Sequence, residues 1–357
     1  MVLVILVVAE TGILPRPIAQ LAMGLVPLLA ILPRARCNQS YGTARLNFVI
    51  VGSLLLPMAS TFALIGQKLT VYHIKTFDTL AYLIDNSYGF SASAILGELT
   101  WAHAALHQFI GIIYGWLPAT ISTCYALNVR AGNRDAGNLL KAALAGGAIA
   151  FVLYHFYPAA GPIYAFGQAF PASLPDPATL ASIPAGWAMP GAARNCMPSV
   201  HFFWAILAAA EARGLGRAWR ACFVLFAVLT AFATIALGEH YVIDLVIAVP
   251  FTLCVHALFS RERSWVIGWR ATAISGGVAT LCWLLFLRIW TPPPHISFVL
   301  WTLTLLTIAG SVLLRLGHLS YRPGLWRKRV FSGCETVPES AELNRTEMRR
   351  AEQAGRL

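Results

Sequence analysis

The sequence predicts an all-α fold, a polytopic bundle of membrane helices, and three observations lead there. Of 357 residues, 58% are hydrophobic, while Asp, Glu, Lys and Arg together make up 11%; an ordinary soluble domain carries roughly 25% charged residues. The apolar residues gather in repeated runs, many close to the ~20 residues a helix needs to cross a bilayer. The alternating ten-residue pattern of a membrane barrel is missing, so each span must pair its backbone within itself. A water-soluble globule is excluded.

Taken in order, Met1 to Ala9 is apolar but has no basic flank and is interrupted by Glu10. That is a poor signal peptide, so this end reads as part of the mature chain. Apolar runs bounded by charge, Pro or Gly place spans near 17–32, 47–66, 104–125, 139–157, 198–212, 218–237, 240–260, 268–288 and 296–316. Two long segments separate some of them. In 67–103, Phe77, Leu80, Leu83 and Ile84 recur at helical spacing beside Asp78 and Asp85, which suggests an amphipathic helix on the membrane surface. Asp85 reads as a residue that caps or docks that helix. The segment 158–197 is rich in Pro, Gly and Ala and cannot be a regular helix throughout; it is a lid or a connector. The expected organisation is 1–66, N-terminal membrane helices; 67–260, catalytic core; 261–317, further membrane helices; and 318–357, a polar cytoplasmic tail.

The formal charge of +11 comes from 22 Arg and 4 Lys against 15 acids. These bases sit in short clusters between apolar runs, the arrangement of topology signals, so nucleic acid is not the expected partner. If the loops alternate sides, 21 of the 26 basic residues fall on one side, leaving Arg16, Lys68, Lys75, Arg194 and Arg288 on the other. The positive-inside rule makes the second side the non-cytoplasmic one. An integral protein of a bacterial inner membrane is expected. Seven cysteines (Cys37, Cys124, Cys196, Cys222, Cys254, Cys282 and Cys334) include no C-x-x-C pair and read as packing residues.

The chemistry concentrates in two stretches. Gly191-Ala-Ala-Arg-Asn-Cys-Met-Pro-Ser-Val-His201 precedes an apolar run, and Pro198 suits the first turn of a helix. Ser199 and His201 are thereby expected at a helix start, where unpaired N–H groups and the positive dipole end favour an anion such as phosphate. Taken alone, His201 reads as readily as an interface residue. The second stretch is Thr234-Ile-Ala-Leu-Gly-Glu-His240-Tyr-Val-Ile-Asp244, with Gly238 ending one helix and His240 opening the next. His240 and Asp244 are four apart and can meet. Both helices descend from one face, so two imidazoles and a carboxylate converge, and an acid at the membrane is costly enough to signal function. In-line phosphoryl transfer fits: one imidazole, held by the carboxylate, attacks phosphorus, and the other protonates the departing oxygen. It requires no metal and no cofactor. His103 and His107, four apart, have a spacing that also suits a metal, a substrate cleft or packing with Trp101.

Pro198-Ser199-x-His201 and His240-x-x-x-Asp244 resemble the second and third motifs of the type-2 phosphatidic acid phosphatase superfamily of lipid phosphatases and phosphotransferases. The resemblance implies a six-helix core, a phospholipid or lipid phosphate substrate, His240 as nucleophile, Asp244 as its orienting partner and His201 as general acid. Ala233 and Thr234 stand where that family commonly has Ser-Arg, and its first motif, a Lys followed by Arg-Pro, is missing. Tyr157-Pro-Ala-Ala-Gly-Pro162 follows the preceding span instead. Thr234, Tyr241 and this segment look like the inositol phosphorylceramide synthase branch, which moves a phosphoinositol head group from phosphatidylinositol to ceramide. The phosphate ligands implied are Ser199, Thr234 and Arg194, the last replacing the lost cations. Hydrolysis of a lipid phosphate or polyprenyl pyrophosphate would use the same residues. A transporter or scaffold using them as a proton relay is the alternative from another class.

Overall fold

The computed structural model describes residues 69–73, 75–131, 133, 136–180, 192–260, 268–289 and 297–316, together with Gly52 and Leu54. The expected spans at 17–32 and 47–66, apart from those two residues, and the tail from 318 lie outside them. The described residues form twelve α-helices joined by short 3-10 turns. In chain order they are α1 (Asp78–Asn86), α2 (Ala92–Trp101), α3 (Ala104–Gly115), α4 (Leu117–Arg130), α5 (Ala136–Phe156), α6 (Pro162–Phe166), α7 (Pro177–Leu180), α8 (Val200–Glu211), α9 (Arg217–Ala236), α10 (Val242–Phe259), α11 (Trp269–Ile289) and α12 (Ser297–Leu316).

Five of these, α5, α9, α10, α11 and α12, are long and apolar enough to cross a membrane. A sixth span is formed if α3 and α4, bent by 49° at their junction, count as one. Pro118 explains the bend: it opens α4 and cannot continue the hydrogen-bond ladder of α3. The protein is thus an integral membrane protein. Large apolar side chains left exposed on α9, α11 and α12, among them Leu225, Val228, Leu281 and Leu306, have lipid as their solvent.

The expected span at 198–212 is shorter than a bilayer. Its helix, α8, has 12 residues, about 18 Å at 1.5 Å per residue, against a hydrocarbon core of ~30 Å. Ser199 caps one end and Gly216, at φ +97°, turns the chain beyond the other. Pro198 therefore precedes the cap and is not in the first turn. Despite its length α8 is the hub of the bundle, touching α4, α5, α9 and α10. Its buried face carries Phe203, Trp204, Leu207 and Ala208. Phe203 fits because Gly146 of α5 has no side chain; a Cβ there would lie 2.2 Å from its ring. The Trp204 indole donates to the Ala143 carbonyl at 3.1 Å, satisfying its buried N–H.

Two contacts show that α8 and α10 run parallel. At their starts His201 and His240 have ring centroids 6.1 Å apart. At their far ends Glu211 Oε1 meets His256 Nε2 at 2.5 Å. Arg315 of α12 also donates to His256.

The helix expected on the membrane surface is instead docked into the protein. Its buried residues are Asp78, Ala81, Tyr82, Ile84 and Asp85, so the acid-bearing face turns inward. The reason is a set of backbone donors that need acceptors. Asp78 Oδ1 accepts from the main-chain N–H groups of Ala160 and Gly161, both at 2.9 Å, and from the Tyr241 hydroxyl at 3.0 Å. Asp85 accepts from Val242 N–H at 2.6 Å and Ile243 N–H at 3.1 Å, the unpaired amides that open α10. Asp85 is a docking residue, as its sequence context suggested.

Candidate active site

The site is assembled by the loop before α8, the turn between α9 and α10, and the segment 157–162. Gly238, at φ +72°, reverses the chain after α9, and the Thr234 carbonyl accepts from both Glu239 N–H and His240 N–H at 3.1 Å. These bonds hold His240 just ahead of α10. Asp244, at the third position of that helix, reaches back so that Oδ2 accepts from Tyr241 N–H at 2.8 Å. Its Oδ2 is then 3.3 Å from His240 Nδ1.

The Cys196 carbonyl lies 3.0 Å from the same Nδ1. A carbonyl can only accept, so Nδ1 carries a proton, and in the neutral ring the lone pair is then on Nε2. No hydrogen-bond partner meets Nε2 among the described residues. His240 and Asp244 are buried, at 3% and 0% exposure. An imidazole anchored through one nitrogen, with the other turned away from the anchor, has the geometry a nucleophile or base requires.

His201, on the second residue of α8, is tilted 59° to His240. It lies flat against Tyr114 of α3, ring centroids 4.0 Å apart. Ser199 Oγ accepts from Phe202 N–H at 3.3 Å and so serves as the α8 N-cap. The Ser199 N–H points to the Asp244 carbonyl at 3.5 Å, linking the two helix starts.

The expected phosphate ligands are engaged in building the frame. The Thr234 hydroxyl donates to the Ala231 carbonyl at 2.9 Å. Arg194 is buried, its backbone N–H donating to Thr70 Oγ1 at 2.8 Å and its Nε to the His73 carbonyl at 3.3 Å. Its Nη1 donates to the Ala192 carbonyl. Beside it, His73 Nε2 and His155 Nδ1 are 2.9 Å apart. Partial burial, then His155 and Arg194, hold the His73 pKa below its ordinary value.

Cys196 was expected merely to fill space, and the structure corrects that. Its thiol donates to Asp244 Oδ2 at 2.6 Å and lies 3.5 Å from His240 Nδ1. The three ligand atoms lie within 4.8 Å of one another, a grouping able to hold a metal. His103 and His107 do not pair: His103 Nδ1 meets the Leu99 carbonyl at 3.0 Å, and His107 packs edge-on against Trp101. The segment Tyr157–Pro162 holds the frame together. Besides binding Asp78, it offers the Ala159 carbonyl to Cys196 N–H at 3.0 Å, and the residue that follows it, Ile163, donates its N–H to the Gly238 carbonyl at 2.9 Å. Gly161 is needed there, at φ +98°, because a Cβ would lie 2.3 Å from the Glu239 carbonyl.

An all-helical membrane bundle that joins two imidazoles and a buried carboxylate at parallel helix starts defines a class of integral membrane proteins built for chemistry at a lipid surface. Within that class the chain belongs to the PAP2 superfamily, whose model matches residues 79–258 and so takes in α1 through nearly all of α10. It is an enzyme of the lipid phosphatase and phosphotransferase kind that this superfamily comprises. No curated protein and no solved structure matches the chain.

Proposed function

We propose that the chain transfers a phosphorylated head group between lipids, with His240 as nucleophile, Asp244 as its orienting partner and His201 as general acid. The observation that carries this reading is the anchoring of His240 Nδ1 between the Cys196 carbonyl at 3.0 Å and Asp244 Oδ2 at 3.3 Å. With Nδ1 so held, Nε2 attacks phosphorus while the lipid oxygen departs, and protonated His201 gives its proton to that oxygen. The N–P bond forms as the P–O bond breaks. Asp244 stabilises the positive charge that grows on the imidazole. In the second half, His201 takes the proton of the acceptor hydroxyl, whose oxygen attacks phosphorus and releases His240.

The phosphate oxygens would lie at the unpaired N–H groups opening α8, with Ser199, Thr234 and the Arg194 charge close by. The acceptor is a ceramide or diacylglycerol hydroxyl, and the head group is of the phosphoinositol kind. Supporting that choice are Thr234 in place of the family's usual arginine and the Tyr157–Pro162 segment tying both histidine loops together. The site faces the non-cytoplasmic side, given where the basic residues fall. Water as acceptor would make the same residues a hydrolase.

The test is purified protein in detergent, given labelled phosphatidylinositol or phosphatidic acid with and without ceramide or diacylglycerol. A new labelled phospholipid that depends on the acceptor is the expected product; free phosphate or inositol phosphate alone would replace transfer by hydrolysis. His240→Ala should abolish both, and turnover equal to wild type would sink the reading.

A further inference from the structure

We propose that Cys196, His240 and Asp244 form a binding site for a thiophilic divalent cation such as Zn2+, and that its occupancy switches the enzyme off. The second half rests on His240 acting as nucleophile; the site itself does not.

Geometry carries the first half. A tetrahedral Zn2+ bound to one thiolate, one imidazole and one carboxylate sets the ligand atoms about 3.3 to 3.6 Å apart, from bond lengths of ~2.0 to 2.3 Å. Two edges of the triangle already have that length: Nδ1 to Oδ2 is 3.3 Å and Sγ to Nδ1 is 3.5 Å. Only the Sγ to Oδ2 edge, at 2.6 Å, is closed by the thiol hydrogen bond. Cys196 sits on the non-helical stretch ahead of α8, so rotation of its side chain opens that edge without moving a helix. A second observation points the same way. Asp244 Oδ1 is buried and meets no hydrogen-bond partner among the described residues. A cation chelated by both oxygens of the carboxylate would satisfy Oδ1 as well as Oδ2, and the isolation of Oδ1 otherwise costs stability. The mixed sulfur, nitrogen and oxygen donor set, buried from water, selects Zn2+ or Cd2+ over Mg2+.

Binding displaces two protons. The thiol proton goes to solvent as Sγ becomes a thiolate ligand. The Nδ1 proton is also lost, because that nitrogen gives its lone pair to the cation, and the neutral ring takes a proton back on Nε2. Nε2 then has an N–H and no lone pair, so it cannot attack phosphorus. The cation thereby reverses the tautomer that the Cys196 carbonyl imposes.

The test uses the full-length protein in detergent, titrated with Cd2+ and followed by its ultraviolet thiolate-to-metal charge-transfer band. Wild type and Cys282→Ser, an exposed cysteine of α11, should saturate at one equivalent. Cys196→Ser should lose the band, while Asp244→Asn, which keeps thiol and imidazole, should weaken Cd2+ binding by about tenfold or more. In parallel, Zn2+ should stop turnover of the wild type and EDTA should restore it. A band that survives Cys196→Ser, or its absence in wild type at stoichiometric Cd2+, overturns the site and leaves the assignment of His240 untouched. A saturated band with undiminished turnover overturns both the switch and His240 as nucleophile, and leaves the site.

Discussion

Tyr114 lies face to face with His201, ring centroids 4.0 Å apart and planes 13° from parallel. Tyr114 is the penultimate residue of α3, three before Leu117 opens α4, so the bend at this junction sets where its ring stands. The stack restrains the imidazole about its χ2 torsion, which side-chain packing on one helix alone would leave broad. Tyr114→Phe keeps the ring and should retain turnover. Tyr114→Ala should lower kcat about tenfold, a fraction of the ~10²–10⁴ that a general acid supplies, with little change in KM. Equal kcat values for the two variants, measured on the same lipid substrate, would remove the positioning role.

Asp85 supports the site from behind by closing the amides at the start of α10. Asp85→Ala strands two buried N–H groups and should cost about 1 to 3 kcal/mol for each one left unsatisfied. Asp85→Asn retains one carbonyl acceptor and should fall between Ala and wild type. Thermal unfolding in detergent gives the order. Because Asp244 is on the same helical turn, turnover should decline in the same sequence.

Much of this architecture was legible because it is local. The expected span at 139–157 became Ala136–Phe156, and the one at 268–288 became Trp269–Ile289, since apolar runs in lipid have helix as their one economical structure. His240 and Asp244 could be paired from a spacing of four. Other contributors are invisible to spacing. The Cys196 thiol meets Asp244 across 48 residues, and Asp78 meets Tyr241 across 163; neither partnership leaves a periodic trace. Tyr114 resembles any aromatic residue near a membrane interface. Asp78 and Asp85 did carry a signal: seven residues apart, they share the helix face of Ala81 and Tyr82, and an acid on an apolar stripe asks for buried donors.

The closeness of α10 and α11 yields a sharp contrast between neighbouring glycines. A Cβ on Gly276 would lie 2.6 Å from the Pro250 carbonyl oxygen and 2.7 Å from the Cys254 nitrogen, both backbone atoms that cannot step aside. On Gly277 it would lie 3.4 Å from the Cys254 sulfur, a side chain able to yield. Gly276→Ala should therefore destabilise by about 1 to 3 kcal/mol through overpacking. Gly277→Ala should be neutral or gain up to ~1 kcal/mol of helix propensity. Thermal melts of the two variants in one detergent decide it, and a Gly276→Ala protein as stable as wild type would contradict the close contact.

His201 offers the most discriminating test of the two-step chemistry. If it protonates the departing oxygen, His201→Ala should fail most on leaving groups that need that proton, such as a diacylglycerol alkoxide, losing roughly 10²–10⁴ in rate. A phosphate ester with an acidic phenol as leaving group departs without help, so the first step should recover. The second step should not, because the same imidazole must then take the proton of the incoming hydroxyl. His201→Ala given the activated ester should consequently accumulate phosphorylated His240, an acid-labile and base-stable adduct that mass spectrometry can place. His201→Ala, His240→Ala should form none. Equal rate losses on the two leaving groups, with no adduct, would assign His201 to binding and leave His240 without its acid.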